Sequence, residues 1–152
     1  MTPRISWLGH SSIKIKGRIV IYIDPWKIDA EEKADLILIS HSHADHFSPG
    51  DIGKLWKNET KILAHRACVS ALSGDVLAMK PGDKVTIAGV TVQAVPAYNV
   101  NKPFHPRSDD GLGLLIQMEG RSFIMVGIRT GFPKWIRSRR ISSFFLSVAP
   151  TP

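Results

Sequence analysis

The sequence predicts a mixed α/β (α+β) domain, and three observations carry that expectation. The 152 residues are 43% hydrophobic and 22% charged, the composition of a folded domain and not of a disordered chain. Short β-branched runs recur from the first turn of the chain to about residue 124. Two helical stretches, opening at Ser48-Pro49 and at Arg66, interrupt those runs, which excludes an all-α fold and points to α/β or α+β.

The elements follow in order. Ile5–Leu8 and Ser12–Lys16 read as strands flanking a Gly-His-Ser corner, and Ile19–Ile23 as a third that stops at Asp24-Pro25. Lys27–Lys33 is polar and reads as a connection. Asp35–Ser40 (DLILIS) is a continuous apolar run, as expected of a strand buried on both faces. Ser48, Pro49 and Asp51 make a helix start, and that helix places Ile52, Leu55 and Trp56 on one face. Lys61–Ala64 is a short strand, and Arg66–Leu72 a short helix stopped by Gly74. Lys84–Ile87 and Val90–Val95, joined by Ala88-Gly89, read as a hairpin. Leu114–Gln117 and Ser122–Ile124 complete the strands, after a long polar loop between Asn99 and Gly111.

Several function classes fall away early. No apolar run approaches the ~18 residues of a membrane-spanning helix. No secretory signal is visible at the N-terminus, and the single Cys68 builds no disulfide framework, so a cytoplasmic setting is expected. Cys68, beside Val69 and Leu72, reads as core packing, and His65, without motif context, as a surface residue. The net charge of +7 is unevenly spread. Residues 124–152 hold five of the 20 basic residues (Arg129, Lys134, Arg137, Arg139, Arg140) and none of the 13 acidic ones, so the first 123 residues carry only +2.

The chemistry concentrates in His41-Ser-His43-Ala-Asp45-His46, directly after the buried strand. Packing does not account for three imidazoles and a carboxylate within six residues. His41 and His43, two apart, suit one ion; Asp45 and His46 can face a second if the chain turns. Imidazole with carboxylate fits Zn2+ first, with Mn2+ or Fe2+ as alternatives. Asp24, at a strand end, either orients a ligand histidine or forms a turn before Pro25. His10, in its Gly-His-Ser corner, faces the site or is structural.

The HxHxDH block, together with WLGHSSIKIKG, IVIYIDPW and VPAYN…FHPR…GLGLLI, resembles the metallo-β-lactamase superfamily, and within it the small metal-dependent hydrolases related to ascorbate-6-phosphate lactonases. The resemblance runs from about Ile5 to Phe123. It implies an αββα sandwich, of which this chain supplies a part, mainly the N-terminal sheet and its helices. It implies that His41 and His43 hold a first metal, Asp45 and His46 a second, and that Asp45 orients the attacking water. The family's next histidine comes from a PGH-like turn; here Pro96-Ala-Tyr-Asn stands in that place, and His105 is the candidate substitute. The implied reaction is hydrolysis of an ester, lactone, amide or phosphoester in a small-molecule substrate.

After Phe123 the resemblance stops. The family continues with Tyr-His-(Ala/Gly)-Gly-Asp-Thr-Asp, whose aspartate bridges two metals; this chain reads IMVGIRTGFPKWIRSRRISSFFLSVAPTP. Shifted by one base, codons for that stretch permit YHGGDTDWFPEMDQIKADIVFLPVGGTYT, which restores the family pattern. Residues 1–123 are therefore expected to be the N-terminal part of a hydrolase domain, and 124–152 a frame-shifted basic tail that truncates it. On this expectation Val90, Val92 and Val95 lose part of their cover, and Gly127–Pro152 is poorly packed and supplies no metal ligand. Two alternatives stand beside the hydrolase: a metal-binding remnant without turnover, and, less favoured, nucleic-acid binding through the basic tail.

Overall fold

The computed structural model describes residues 3–9, 12–29, 32–40, 42, 47–96, 112–118, 120–126 and 145–147. The chain divides into two compact units, Met1–Met79 and Lys80–Pro152.

The first unit is a six-stranded sheet in sequential order. Its strands are β1 (Arg4–Gly9), β2 (Ser12–Lys16), β3 (Val20–Ile23), β4 (Leu36–Ile39), β5 (Lys61–His65) and β6 (Asp75–Met79). β1 to β3 form an antiparallel meander; β3 to β6 run parallel. All four residues of β4 are buried, which is what its unbroken apolar run predicts for a central parallel strand.

Helix α1 (Pro49–Leu55) follows β4, and a 3₁₀ helix (Arg66–Ala71) follows β5. Ser48 caps α1: its Oγ accepts from the Asp51 amide at 3.3 Å, with Pro49 in the first turn where no donor is needed. Ile52, Leu55 and Cys68 pack with Tyr22, Ile37, Ile39, Ile62 and Ala64 into one core cluster. Those strand residues alternate with Ile21, Ile23, Leu36, Leu38 and Leu63, which are also buried, so the central strands are covered on both faces. Trp56 departs from expectation. It lies past the last turn of α1 in extended backbone and is 38% exposed, because a residue outside the helix no longer follows its apolar face. Its indole packs on Gly74, which adopts φ +93° and where a Cβ would meet the ring nitrogen at 3.0 Å.

The second unit is a five-stranded sheet in the order β11-β10-β9-β8-β7, made of β7 (Lys84–Ile87), β8 (Val90–Pro96), β9 (Leu112–Met118), β10 (Arg121–Val126) and β11 (Phe145–Ser147). The hairpin turn between β7 and β8 has φ of +51° at Ala88 and +80° at Gly89, the twist a two-residue connection requires.

This sheet corrects the expectation that the chain supplies mainly one sheet. It also corrects the expected loss of cover: Val90, Val92 and Val95 are all buried, on a strand flanked by both β7 and β9. Ile124 and Met125 extend β10 as expected. The β-prone stretch Ser142–Ala149 supplies β11, parallel to β10. The remainder of Gly127–Pro152, expected to be poorly packed, lies outside the described residues. No helix among the described residues is long and apolar enough to cross a membrane.

Candidate metal centre

Strands β3, β4 and β5 are parallel and in register, so their carboxyl ends lie side by side. Asp24 follows β3, Ser40 follows β4, and His65 ends β5. Loops leaving the carboxyl ends of parallel strands are where such sheets gather functional groups.

Asp24 is the most constrained residue at this edge. It is 2% exposed. One carboxylate oxygen accepts from the Ser40 amide at 2.8 Å and the other from the Ser40 hydroxyl at 2.5 Å. Its own amide donates to the Leu38 carbonyl at 2.9 Å, and its carbonyl accepts from the Ser12 hydroxyl at 2.7 Å. Ser12 Oγ in turn accepts from the Trp26 amide at 2.9 Å. Asp24 is held at φ +45°, the left-handed region that aspartate tolerates better than most residues. The chain leaving β3 is thereby turned and locked onto the last residue before the histidine block.

The loop behind Asp24 is clamped a second time. The Asp51 carboxylate, in the first turn of α1, accepts from the Lys27 amide at 2.9 Å and the Ile28 amide at 3.4 Å, and pairs with Lys54 at 3.2 Å. Burial works to raise the Asp51 pKa, but the hydrogen bonds from Ser48, Lys27, Lys54 and Ile28 prevail and hold it below the ordinary carboxylate value.

His65 is not the surface residue expected. It is 5% exposed, and its Nδ1 accepts from the Ala67 amide at 3.1 Å, capping the 3₁₀ helix. The signal in the sequence is its place as the last residue of the run KILAH, since a residue that ends a buried strand is carried inside with it. Cys68 is fully buried, as expected; burial, with the Asp24 carboxylate as a lesser cause, pushes its thiol up to about 11. A thiol so held is no nucleophile at neutral pH.

His41, His43, Asp45 and His46 lie outside the described residues, as do His10 and His105. Among the described residues no group of three or more His, Cys, Asp or Glu side chains could hold a metal ion. Three imidazoles and a carboxylate begin one residue past Ser40, itself fixed by a buried aspartate; that chemistry suits a divalent ion.

A profile of the beta-lactamase superfamily domain matches residues 4–128. The chain belongs to the beta-lactamase superfamily. A protein of Methanocorpusculum labreanum named a metal-dependent hydrolase is 29% identical over 134 residues, covering 82% of this chain and 59% of its own length. One of the same name from Aeropyrum pernix is 32% identical over 142 residues, covering 84% and 54%. Among solved structures, a Parabacteroides distasonis protein with a provisional assignment as a metal-dependent hydrolase superposes with a TM-score of 0.81. It is 30% identical, and the match covers 93% of this chain and 68% of that one. The chain spans about half the length of the curated relatives it matches. The mixed α/β architecture is that of the superfamily.

Proposed function

We propose that this chain carries the metal-binding half of a hydrolase that uses a divalent ion, Zn2+ first and Mn2+ or Fe2+ as alternatives, to open a lactone, ester or phosphoester bond in a small molecule. The observation that carries the reading is the Asp24–Ser40 clamp. It fixes the exit of β4 immediately before the histidine block, which is where a ligand set needs its backbone rigid.

In this reading His41 and His43 hold one ion, Asp45 and His46 face a second, and His105 is a further candidate ligand. A divalent ion held by these groups supplies Lewis acidity, which makes water acidic enough to act as a nucleophile near neutral pH. Asp45 orients that water and accepts its proton. Asp24 fixes the backbone from which His41 departs, so the imidazoles meet the ion with little ordering left to do. The relation to lactonases within the superfamily belongs to this proposal, as does the cytoplasmic setting.

The basic stretch 124–152 is read as a one-base frame shift. Its loss of all acidic residues, and the reappearance of GDTD, PEM and PVGGTYT in the neighbouring frame, support that reading. Without the bridging aspartate that frame encodes, this chain holds one ion better than two and turns over slowly. The competing reading, a metal-binding remnant without turnover, shares every ligand and differs only in rate.

The experiment is a Zn2+ and Mn2+ titration by calorimetry with a parallel assay on lactone and phosphodiester substrates, for the chain as given and with the single base restored. Binding in both, with turnover rising on restoration, is expected. Equal, high turnover in both overturns the frame-shift reading, and absence of binding in both overturns the metal reading.

A further inference from the structure

The two outer strands of the first sheet are unlike. β1 breaks step with β2, its register shifting between Trp7 and Gly9, the kind of irregularity that turns an edge strand away from further pairing. β6 keeps step: Lys61 to His65 of β5 pair one for one with Asp75 to Met79. Among the described residues β6 has a strand on one side only, so its outward peptide groups are a template for another strand. The usual safeguards do not stand in it. Val76, Leu77, Ala78 and Met79 carry no charge, and the first proline, Pro81, comes after the strand has ended.

This edge is open to solvent. Register sets Ile23, Leu38, Leu63 and Leu77 in one cross-strand row. The first three are buried, and Leu77, the last, is 48% exposed. Ala78 is exposed as well, and Val76, which packs against the core cluster on the opposite face, is half-buried. A lone exposed leucine is ordinary on a protein surface. One that ends an otherwise buried row, on a strand with hydrogen-bonding capacity to spare, marks where the sheet and its apolar face stop together.

We infer that β6 is a self-association surface, and that its partner is β6 of a second copy of this chain, paired antiparallel about a two-fold axis at Leu77. The strand complements itself. A two-fold perpendicular to the sheet keeps each side chain on its own face and sets residues equidistant from the axis opposite one another. Leu77 then meets Leu77 of the second copy, which covers the exposed end of the apolar row. On the other face Val76 meets Ala78 of the second copy, once on each side of the axis. Asp75 opens the strand and Lys80 follows its last residue, so antiparallel pairing brings the acidic start of one copy beside the basic end of the other at both ends of the ladder. A parallel partner brings like ends together instead. The contact also closes on itself, since each β6 is used up by the other.

Leu77→Lys places two ammonium groups at the axis, and because the position is exposed in a single copy the variant should melt near the parent. Sedimentation equilibrium of the full chain at rising concentration is expected to show the parent passing from monomer to a species of twice the mass, with Leu77→Lys remaining monomeric. A parent that stays monomeric at every concentration overturns the inference, as does a Leu77→Lys protein that dimerises like the parent. Oxidative cross-linking tests the register and decides the matter even where the lysine variant folds poorly. Directly opposed residues of an antiparallel pair have Cα atoms about 4.5–5.5 Å apart, within the span of a disulfide. Leu77→Cys is therefore expected to give a covalent dimer under mild oxidation. Asp75→Cys sets its two thiols about four residues out of step, ~13 Å along the strand, and is expected to give none. Cys68 is buried and does not compete. No cross-linking of Leu77→Cys, or equal cross-linking of both variants, overturns the pairing.

Discussion

Two aspartates bracket the central strand β4, and they are held in opposite ways. Asp35, just before the strand, is half-buried; it accepts from the Val20 amide at 2.7 Å and pairs with Lys57 at 2.6 Å. Asp24, beside the residue just after the strand, is buried and spends both oxygens on the amide and hydroxyl of Ser40. Further along the same side as Asp35, Glu32 bridges Lys14 and Lys16 at 2.8 and 2.9 Å. One edge of the sheet is closed by partly solvated ion pairs, the kind that contribute little and are weakened by salt. The other is closed by buried, directional hydrogen bonds, which are stronger away from water. The same residue type thus ties the chain through a half-solvated ion pair at one end of β4 and through buried hydrogen bonds at the other.

Removing the buried clamp is the largest break. Asp24→Ala leaves the Ser40 amide and hydroxyl without their acceptor and asks alanine to hold a left-handed φ. We expect a loss of about 3 kcal/mol in urea unfolding, and loss of Zn2+ binding by calorimetry. Asp24→Asn keeps one carbonyl oxygen and tolerates that φ, so it should lose clearly less stability than alanine. If alanine and asparagine are equal and small, the clamp is no more than a turn. Ser40→Ala removes one of the two bonds and should cost about 1 kcal/mol, with weaker metal binding than the parent.

A pH series sharpens the comparison from the helix side. The folded pKa of Asp51 lies below its unfolded value, so the group adds stability above the unfolded value. That contribution is lost as pH falls through the folded value. Chemical unfolding between pH 7 and 3 should show stability declining below about pH 4, the ordinary aspartate range. Asp51→Asn should be less stable at pH 7 and show a shallower decline. An identical slope in both proteins would mean that the Lys27 and Ile28 amides are held by something else.

Much of this fold was legible in the sequence, for reasons that particular elements make plain. β4 is apolar throughout because it is central and parallel, and Ser48-Pro49-x-Asp51 announces α1 with its own capping chemistry. β6 left no such mark. Its residues DVLAM sit at the sheet edge with Leu77 48% exposed, so neither alternation nor an apolar run distinguishes them from a loop. The histidine block stands out in the sequence, since burial does not select for such a run. The residues at the neighbouring strand ends were harder to read. Asp24 looks like any aspartate before proline, and His65 like any lone histidine, until strand register brings Asp24, Ser40 and His65 to one edge. Register is set by pairings distant in sequence, and a local pattern does not contain them.

The smallest expected effect lies at the solvated end and completes the contrast. Lys57 Nζ lies 2.6 Å from the Asp35 carboxylate, whose hydrogen bond holds the lysine pKa above its ordinary value. The pair is also open to water, where Coulomb attraction is weak and ordering a lysine costs entropy. Asp35 keeps the Val20 amide as a partner when the lysine is lost, so β4 does not lose its tie to β3. Lys57→Ala should therefore leave thermal melting at physiological salt and Zn2+ affinity unchanged within error, with a small loss of stability emerging only at low ionic strength. A loss of metal binding on this substitution, comparable to that of Asp24→Ala, would erase the distinction between the two ends of β4. It would mean that the whole strand, and not its carboxyl end, sets the geometry of the histidine block.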